Sequence, residues 1–422
     1  MSALTAIRNG SLVDRRLLNE GPLARALKVL NFPGEETRLV GGAVRDLALG
    51  ATPGDFDLAT TALPQTVMHR ARAAGFGIAP TGLKHGTVTL IVEGTPIETT
   101  TLRQDVETDG RHATVSFGRD FAADAMRRDF TINALSLDLQ GALHDYTRGL
   151  DDLAARRVRF IGDPSARIAE DYLRILRFFR FSASYSEGPL DGPGFAAAIA
   201  GRSGLAQLSR ERVRAELLKL LAAPRAAEVT AAVCYAGLLA PLFGLAPDPA
   251  RLRRLAAIEA ARNCEPDAIL RLAALGVRVV EDAERLREKL RLSNAEGERL
   301  AKAAQLLASL HGTRAPPSLG HLRTLLFEHG RTAALDALTL AHAESAAPSD
   351  DFAFAAAWRF LADTPQPNLP FTGADIIARG IAQGQGVGAT LKKLQALWIR
   401  AGFPKEPETL ARLLDEALEE RR

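Results

Sequence analysis

Leu39-Val40-Gly41-Gly42-Ala43-Val44-Arg45-Asp46, followed a few residues later by Gly54-Asp55-Phe56-Asp57-Leu58, decides how the N-terminal part of this chain is read. A short strand over Arg38–Gly41 runs into a Gly-Gly turn, a helical pattern follows, and a second strand is expected at Phe56–Ala59. Strand side chains alternate, so Asp55 and Asp57 project from one face and Phe56 and Leu58 from the other, with the carboxylates about 7 Å apart. Such a pair can share hard divalent cations. The Gly41-Gly42 turn puts backbone N–H groups at a helix start, which suits a phosphate, and Arg45 can reach the same group as a fork donor. Either part alone is common. Together, at this spacing, they describe a metal and triphosphate site.

The flanking sequence keeps this mixed character up to residue 150. Thr87–Val92 and Thr95–Leu102 flank Glu93-Gly94, and Ala134–Leu139 and Ala142–Tyr146 flank Gln140-Gly141, which are two hairpin signals. Helical patterns occur at Leu23–Leu30 and Pro64–Ala74. The order predicts an α+β head with a mixed β-sheet over residues 1–150. Beyond it nearly every segment has a helical period, as in Val213, Leu217, Leu220 and Leu221. Breaks rich in Pro, Gly or Asp fall at 186–194, 244–249, 312–318 and 363–370. An all-α C-terminal region is therefore expected, divided into a helical neck (151–245), a body (246–345) and a tail (346–422).

The chain has 422 residues, enough for two to four domains, and its 47% hydrophobic and 24% charged content excludes wholesale disorder. The formal charge is only +3, yet 45 of the 53 basic residues are arginine. A GC-rich genome accounts for such a bias, and so does phosphate recognition, which suits the planar guanidinium. Clustering separates the two: residues 156–180 carry seven arginines against three acids, a local surplus larger than that of the whole chain. Cys234 and Cys264 are isolated and the histidines show no HExxH spacing, so neither a disulfide framework nor a zinc site is expected. The first sixteen residues have no apolar core segment, and Val229–Ala246 reads as buried helix and turn. A soluble cytoplasmic protein with no membrane partner is expected. Nothing in the sequence reports the oligomeric state.

Three further segments carry chemistry: Arg127-Arg128-Asp129-Phe130-Thr131-Ile132-Asn133, the run from Asp163 to Phe181, and Leu208-Ser209-Arg210-Glu211-Arg212-Val213-Arg214-Ala215-Glu216-Leu217. In the second, Asp163 reads as an N-cap with Pro164 at the first helical position. One continuous helix would put Arg167, Asp171, Arg174 and Arg177 near one face and Ile168, Tyr172, Ile175 and Phe179 near another. Asp171 and Arg174 can also read a base edge. Cytosine and adenine both set an exocyclic amine beside a ring-nitrogen acceptor, matching an acceptor carboxylate and a donor guanidinium, while uracil and guanine oppose both pairings. The competing reading is a solvated, salt-bridged helix face.

In this order the segments resemble the motifs of class II tRNA nucleotidyltransferases and bacterial poly(A) polymerases, over residues 38 to about 221. The resemblance implies a polymerase-β-type nucleotidyltransferase head and Mg²⁺ held by the catalytic Asp55 and Asp57. It implies Gly42 and Arg45 at the triphosphate, Arg128 at the nucleotide, and Asp171, Arg174, Arg177 and Arg180 around base and phosphates. Glu98 is the candidate third metal carboxylate, with an ordinary surface strand residue as the alternative. The implied activity is template-independent addition of CCA to the tRNA 3′ end from CTP and ATP, with pyrophosphate released by two-metal transfer. The tRNA would be engaged at its acceptor end and elbow, and the tail is read as a tRNA-binding region. Thr81–Leu90 resembles the CCA-adding type rather than the Arg-rich poly(A) type, and Asp105–Ser116 resembles a flexible loop that CC-only relatives lack. Poly(A) polymerase, and a non-catalytic RNA-binding protein on a decayed polymerase fold, are the alternatives. No HD-type phosphohydrolase domain is expected.

Overall fold

A computed structural model describes residues 16–83, 86–105 and 115–419. The chain forms two compact units, Met1–Val229 and Thr230–Arg422. The described strands of the first unit are β1 (Thr37–Val40), β2 (Phe56–Thr60), β3 (Gly77–Gly82), β4 (Thr87–Val92), β5 (Thr95–Thr101), β6 (Arg103–Asp105), β7 (Val115–Phe117), β8 (Ser136–Leu137) and β9 (Leu143–His144). Seven of them form one sheet in the order β3-β4-β5-β2-β1-β8-β9, and β6 pairs with β7. Among these pairings only β2 with β5 is parallel, in a register that sets Phe56 beside Ile97 and Asp57 beside Glu98. The crossover between them runs through a helix over Pro64–Ala73 and the β3–β4 hairpin.

The β4–β5 hairpin turns at Glu93-Gly94, both with positive φ, the geometry that twists a two-residue hairpin correctly. β3 has no alternating signature in the sequence. It is an edge strand with a register shift between Ala79 and Gly82, and it includes Pro80, which a central strand would not accept. The β8–β9 hairpin is shorter than its sequence suggests, with two residues in each strand.

Helices α1 (Gly42–Ala48), α2 (Phe121–Met126), α3 (Pro164–Glu170), α4 (Leu173–Tyr185) and α5 (Arg210–Ala222) position the site. α4 carries Ile175, Leu176, Phe178 and Phe179 into the core and keeps Arg174, Arg177 and Arg180 at intervals of three. Its aromatic side packs on the isolated bridge formed by Phe130 and Phe160: Phe130 lies 4.8 Å from Phe160 and 5.3 Å from Phe181, and Phe160 lies 5.4 Å from Phe178. Each such buried ring contributes about 1.5–3 kcal/mol, so the arginine row stands on a rigid base. The second unit is helical from Pro249–Ala261 to Pro407–Glu419, and its last part has its own core around Leu394, Trp398 and Phe403. No described helix is long and apolar enough to cross a membrane.

Candidate active site

Asp57 and Glu98 are register partners on parallel strands, so both side chains leave the same face of the sheet. Asp57 is open to solvent on one side, yet the protein around it pushes its carboxyl above the ordinary range. Burial contributes most, then the charge of Glu98; Asp55 adds to the rise and Arg128 opposes it. This is the electrostatic condition a divalent cation would relieve, and the donors are the hard oxygens such an ion takes. The residues fit Mg²⁺ in that sense. Among the described residues, no three acidic, His or Cys side chains are already gathered around one point.

Beside the carboxylates opens a cleft of about 510 Å³. Gly42, Arg45, Asp57, Arg128, Asp171, Arg174, Arg177 and Arg180 all line it, so the fold brings together eight of the ten residues anticipated from sequence; Asp55 and Glu98 lie outside the lining. The lining holds six arginines against three aspartates. That surplus suits a triphosphate.

Each arginine is aimed by a partner. Arg45 is buried: Nη1 donates to Asn133 Oδ1 at 2.6 Å, Nη2 to the Tyr185 hydroxyl at 2.6 Å and Nε to Asp46 Oδ1 at 2.9 Å. Its guanidinium also sits 3.9 Å from the centre of the Tyr185 ring. Arg45 thus reaches the cleft wall with much of its fork turned inward. Arg128 is held by Asp124, which accepts at 3.0 and 3.2 Å and also takes Arg127. Burial opposes ionisation of Asp124, but Arg128 and Arg127 outweigh it and hold the carboxyl below the usual range. Gly41, at φ 72°, allows this approach, since a Cβ there would lie 3.2 Å from Arg128 Nη1 in a backbone conformation that disfavours side chains.

Asp129 accepts from the Phe130 N–H at 2.8 Å and Asn133 Nδ2 at 3.1 Å on one oxygen, and from Arg177 Nε at 2.7 Å on the other. Buried Glu216 on α5 meets Arg180 at 2.6 Å, in an ion pair not aligned as a hydrogen bond, and Arg177 at 3.6 Å. Burial works against the charge of Arg177, but Asp129 and Glu216 reverse it and raise its pKa; at Arg180 burial prevails and lowers it. One acid on α5 and one from the head therefore hold the arginine row of α4 in place.

The single helix expected from Asp163 to Phe181 is instead two. α3 ends at Glu170, Asp171 is extended at φ −156°, and Tyr172 opens α4. The cause is local: Asp171 Oδ1 accepts the Leu173 N–H at 3.1 Å, so the side chain starts a new helix in place of the old one's continuation. Tyr172 lies flat on Gly204, where any Cβ would fall 2.1 Å from the ring. Asp171 Oδ2 pairs with Arg212 at 2.6 Å, and Arg174 donates to the Arg167 carbonyl at 2.8 Å and to Glu170. Burial opposes the ionisation of Glu170, while Arg174 and Arg167 overcome it and hold its carboxyl below the usual range.

Sequence reasoning gave no role to Asp124, Asn133, Tyr185, Arg212 or Glu216. Glu216 was the most legible, as the one acid on the apolar stripe of Val213, Leu217, Leu220 and Leu221. The His144-Asp145 pair, which superficially matches an HD motif, is structural: His144 Nε2 meets Asp138 at 2.9 Å and Asp145 accepts the Gly149 and Leu150 N–H groups at 2.9 Å. The loop reading at Asp105–Ser116 rests largely on residues outside those described, as do Lys84 and His85 within Thr81–Leu90.

A mixed sheet that sets exposed Asp57 and Glu98 side by side on adjoining strands, with Asp57 at an arginine-walled cleft, defines a nucleotidyltransferase of polymerase type. The family description "Poly A polymerase head domain" matches residues 37–159, and "Probable RNA and SrmB- binding site of polymerase A" matches residues 195–251. The chain is 35% identical to the mitochondrial CCA tRNA nucleotidyltransferase 1 of Danio rerio over 402 residues, covering 90% of this chain and 88% of that one. It is 33% identical to the CCA-adding enzyme of Geobacillus kaustophilus over 398 residues, covering 92% and 94%. The crystal structure of the Bacillus stearothermophilus CCA-adding enzyme in complex with CTP matches with a TM-score of 0.74 at 30% identity, covering 95% of this chain and 98% of that one. The chain belongs to the CCA tRNA nucleotidyltransferase (CCA-adding enzyme) family.

Proposed function

We propose that this chain adds CCA to the 3′ end of tRNA from CTP and ATP, without a nucleic-acid template, and releases pyrophosphate. The observation that carries the reading is the cleft: six arginines with Asp171 on walls that also include Asp57. Kinship with CCA-adding enzymes supports it. The division of labour proposed is a head (1–150) for catalysis, a neck (151–245) for the base, and a body and tail (246–345 and 346–422) for the tRNA. The cytoplasm is the proposed compartment.

Asp55 and Asp57, with Glu98 as a third carboxylate, would hold Mg²⁺. Bound there, the ion supplies Lewis-acid activation of the RNA 3′-hydroxyl and neutralises charge on the leaving pyrophosphate. The remaining work falls to the chain's own side chains. Arg128, Arg177 and Arg180, pre-aimed by Asp124, Asp129 and Glu216, meet the phosphate charge without reorganising, which is how fixed dipoles and charges lower a barrier. Gly42 lets the backbone approach closely beside Arg45. Asp171 accepts from the exocyclic amine and Arg174 donates to the ring nitrogen, so CTP and ATP are admitted and UTP and GTP refused.

The test is incorporation on a tRNA transcript lacking its 3′ CCA, with Mg²⁺ and each nucleotide alone and combined. Two residues from CTP alone and three from CTP plus ATP are expected. A long ladder from ATP alone on unrelated RNA would replace this reading with poly(A) synthesis, and no incorporation at all would favour a binding protein.

A further inference from the structure

Asp171 sits in extended backbone at the bend between α3 and α4. Its local tie is the Leu173 N–H at 3.1 Å. The second tie comes from far along the chain. Ser209 caps the start of α5 by accepting the Arg212 N–H, and Arg212, in the first turn, extends Nη2 to within 2.6 Å of Asp171 Oδ2. Both residues line the cleft. The Arg212 side chain is 51% exposed, and a pair so open to water adds little to stability. Its value must be sought in what it does to Asp171.

We propose that Arg212 is a positioning residue for nucleotide choice: by holding one oxygen of Asp171 it fixes the direction in which this carboxylate meets the base edge. The inference rests on the assignment of Asp171 and Arg174 to base reading. Each carboxylate oxygen has two lone-pair directions. With Leu173 on one oxygen and Arg212 on the other, the remaining directions are set and the carboxylate cannot swing. A fixed acceptor attracts the exocyclic amine of cytosine or adenine and repels the carbonyl of uracil or guanine at the same place. A carboxylate free to turn away weakens both effects. Loss of Arg212 therefore weakens CTP and ATP and relieves UTP and GTP, and discrimination falls from both sides.

The experiment measures kcat and KM for all four nucleotides with Arg212→Gln, Arg212→Lys, Asp171→Ala and the Asp171→Ala/Arg212→Gln pair. In Arg212→Gln the ratio of kcat/KM for CTP over UTP should fall about tenfold, as the loss of one well-formed base contact implies, mainly through KM. Arg212→Lys, which keeps the charge and one donor, should recover part of the ratio. In the Asp171→Ala background, Arg212→Gln should leave the ratio where Asp171→Ala put it, because the arginine acts through the carboxylate. An equal rise in KM for all four nucleotides with ratios intact would overturn the proposal in favour of a direct phosphate contact. A uniform loss of kcat with a lower Tm, seen in Arg212→Lys as well, would reduce Arg212 to a brace. If the wild-type chain itself adds UTP as readily as CTP, the base-reading assignment fails, and that result is distinct from either of these.

Discussion

The cleft of the first unit and the helical second unit both bury arginines, and they use them differently. In the second unit Arg271 pairs with Glu259 at 2.7 Å, each side chain only 6% exposed, and Arg299 bridges Asp267 at 2.6 Å and Asp336 at 2.7 Å. Arg254 donates to the carbonyls of Ala343 at 3.0 Å and Ala347 at 2.7 Å, closing the end of the helix Arg331–Glu344. A cavity of about 240 Å³ there is lined by three arginines and four carboxylates, so its charges nearly cancel. The cleft, with six arginines to three aspartates, leaves positive charge uncancelled toward open space. Burial and pairing do not mark a functional arginine; an unbalanced surplus facing a cavity does.

The contrast can be broken at its largest effect by Asp57→Ala. Addition should fall by at least about 10²–10³-fold, the loss typical when one preorganised charge-handling group is removed, with the fold intact by circular dichroism. Turnover within a few-fold of wild type would end the metal assignment. Arg271→Ala tests the other region. It leaves Glu259 buried without its counter-charge, a change that destabilises by about 3–5 kcal/mol, and it should lower Tm sharply while kcat measured well below Tm stays near wild type. Arg177→Ala should lower kcat/KM by about 10²-fold even when measured well below its Tm, and its Tm falls as well because buried Asp129 loses its guanidinium. If the two variants gave the same pattern, the distinction drawn between the regions would collapse.

The smallest effect expected is a gain. Burial and the neighbouring acids raise the Asp57 carboxyl, so its ionised form is a burden on the folded metal-free protein. A raised carboxyl binds more protons folded than unfolded, so that burden is full above the folded pKa and vanishes as pH falls below the ordinary carboxylate value. Asp57→Asn should therefore raise Tm in EDTA at neutral pH, and the gain should shrink on acidification through that window. Added Mg²⁺ should raise Tm of the wild type more than that of Asp57→Asn. Thermal melts across pH, with and without the ion, read both effects; a variant that melts lower at neutral pH in EDTA contradicts the repulsion.

Much of this was legible in the residues because it is local. Alternation marked the strand at Phe56–Ala59, Glu93-Gly94 between two β-rich runs marked the β4–β5 hairpin, Gly-Gly marked the turn before α1, and the arginine row of α4 showed in its spacing of three. What escaped was non-local or self-referential. Arg45 finds Asn133 and Tyr185 at separations of 88 and 140 residues, which no motif window spans. The bend at Asp171 arises because that side chain competes for its own backbone, a choice that helical periodicity does not register. Edge strand β3 lacked alternation because proline and glycine are tolerated at a sheet margin.

The parallel pairing of β2 with β5 also governs the order in which the protein becomes competent as it is made. Asp57 meets Glu98 only after the crossover helix and the β3–β4 hairpin have been synthesised and folded back, a long-range closure that is slow to form. Arg128 and the arginines of α4 leave the ribosome later still. An emerging head therefore exposes carboxylates that repel one another and has no cradle for phosphate. Nucleotide capture begins once α4, as far as Tyr185, has docked against Arg45 of α1, so a half-made chain is inert toward the tRNA pool around it.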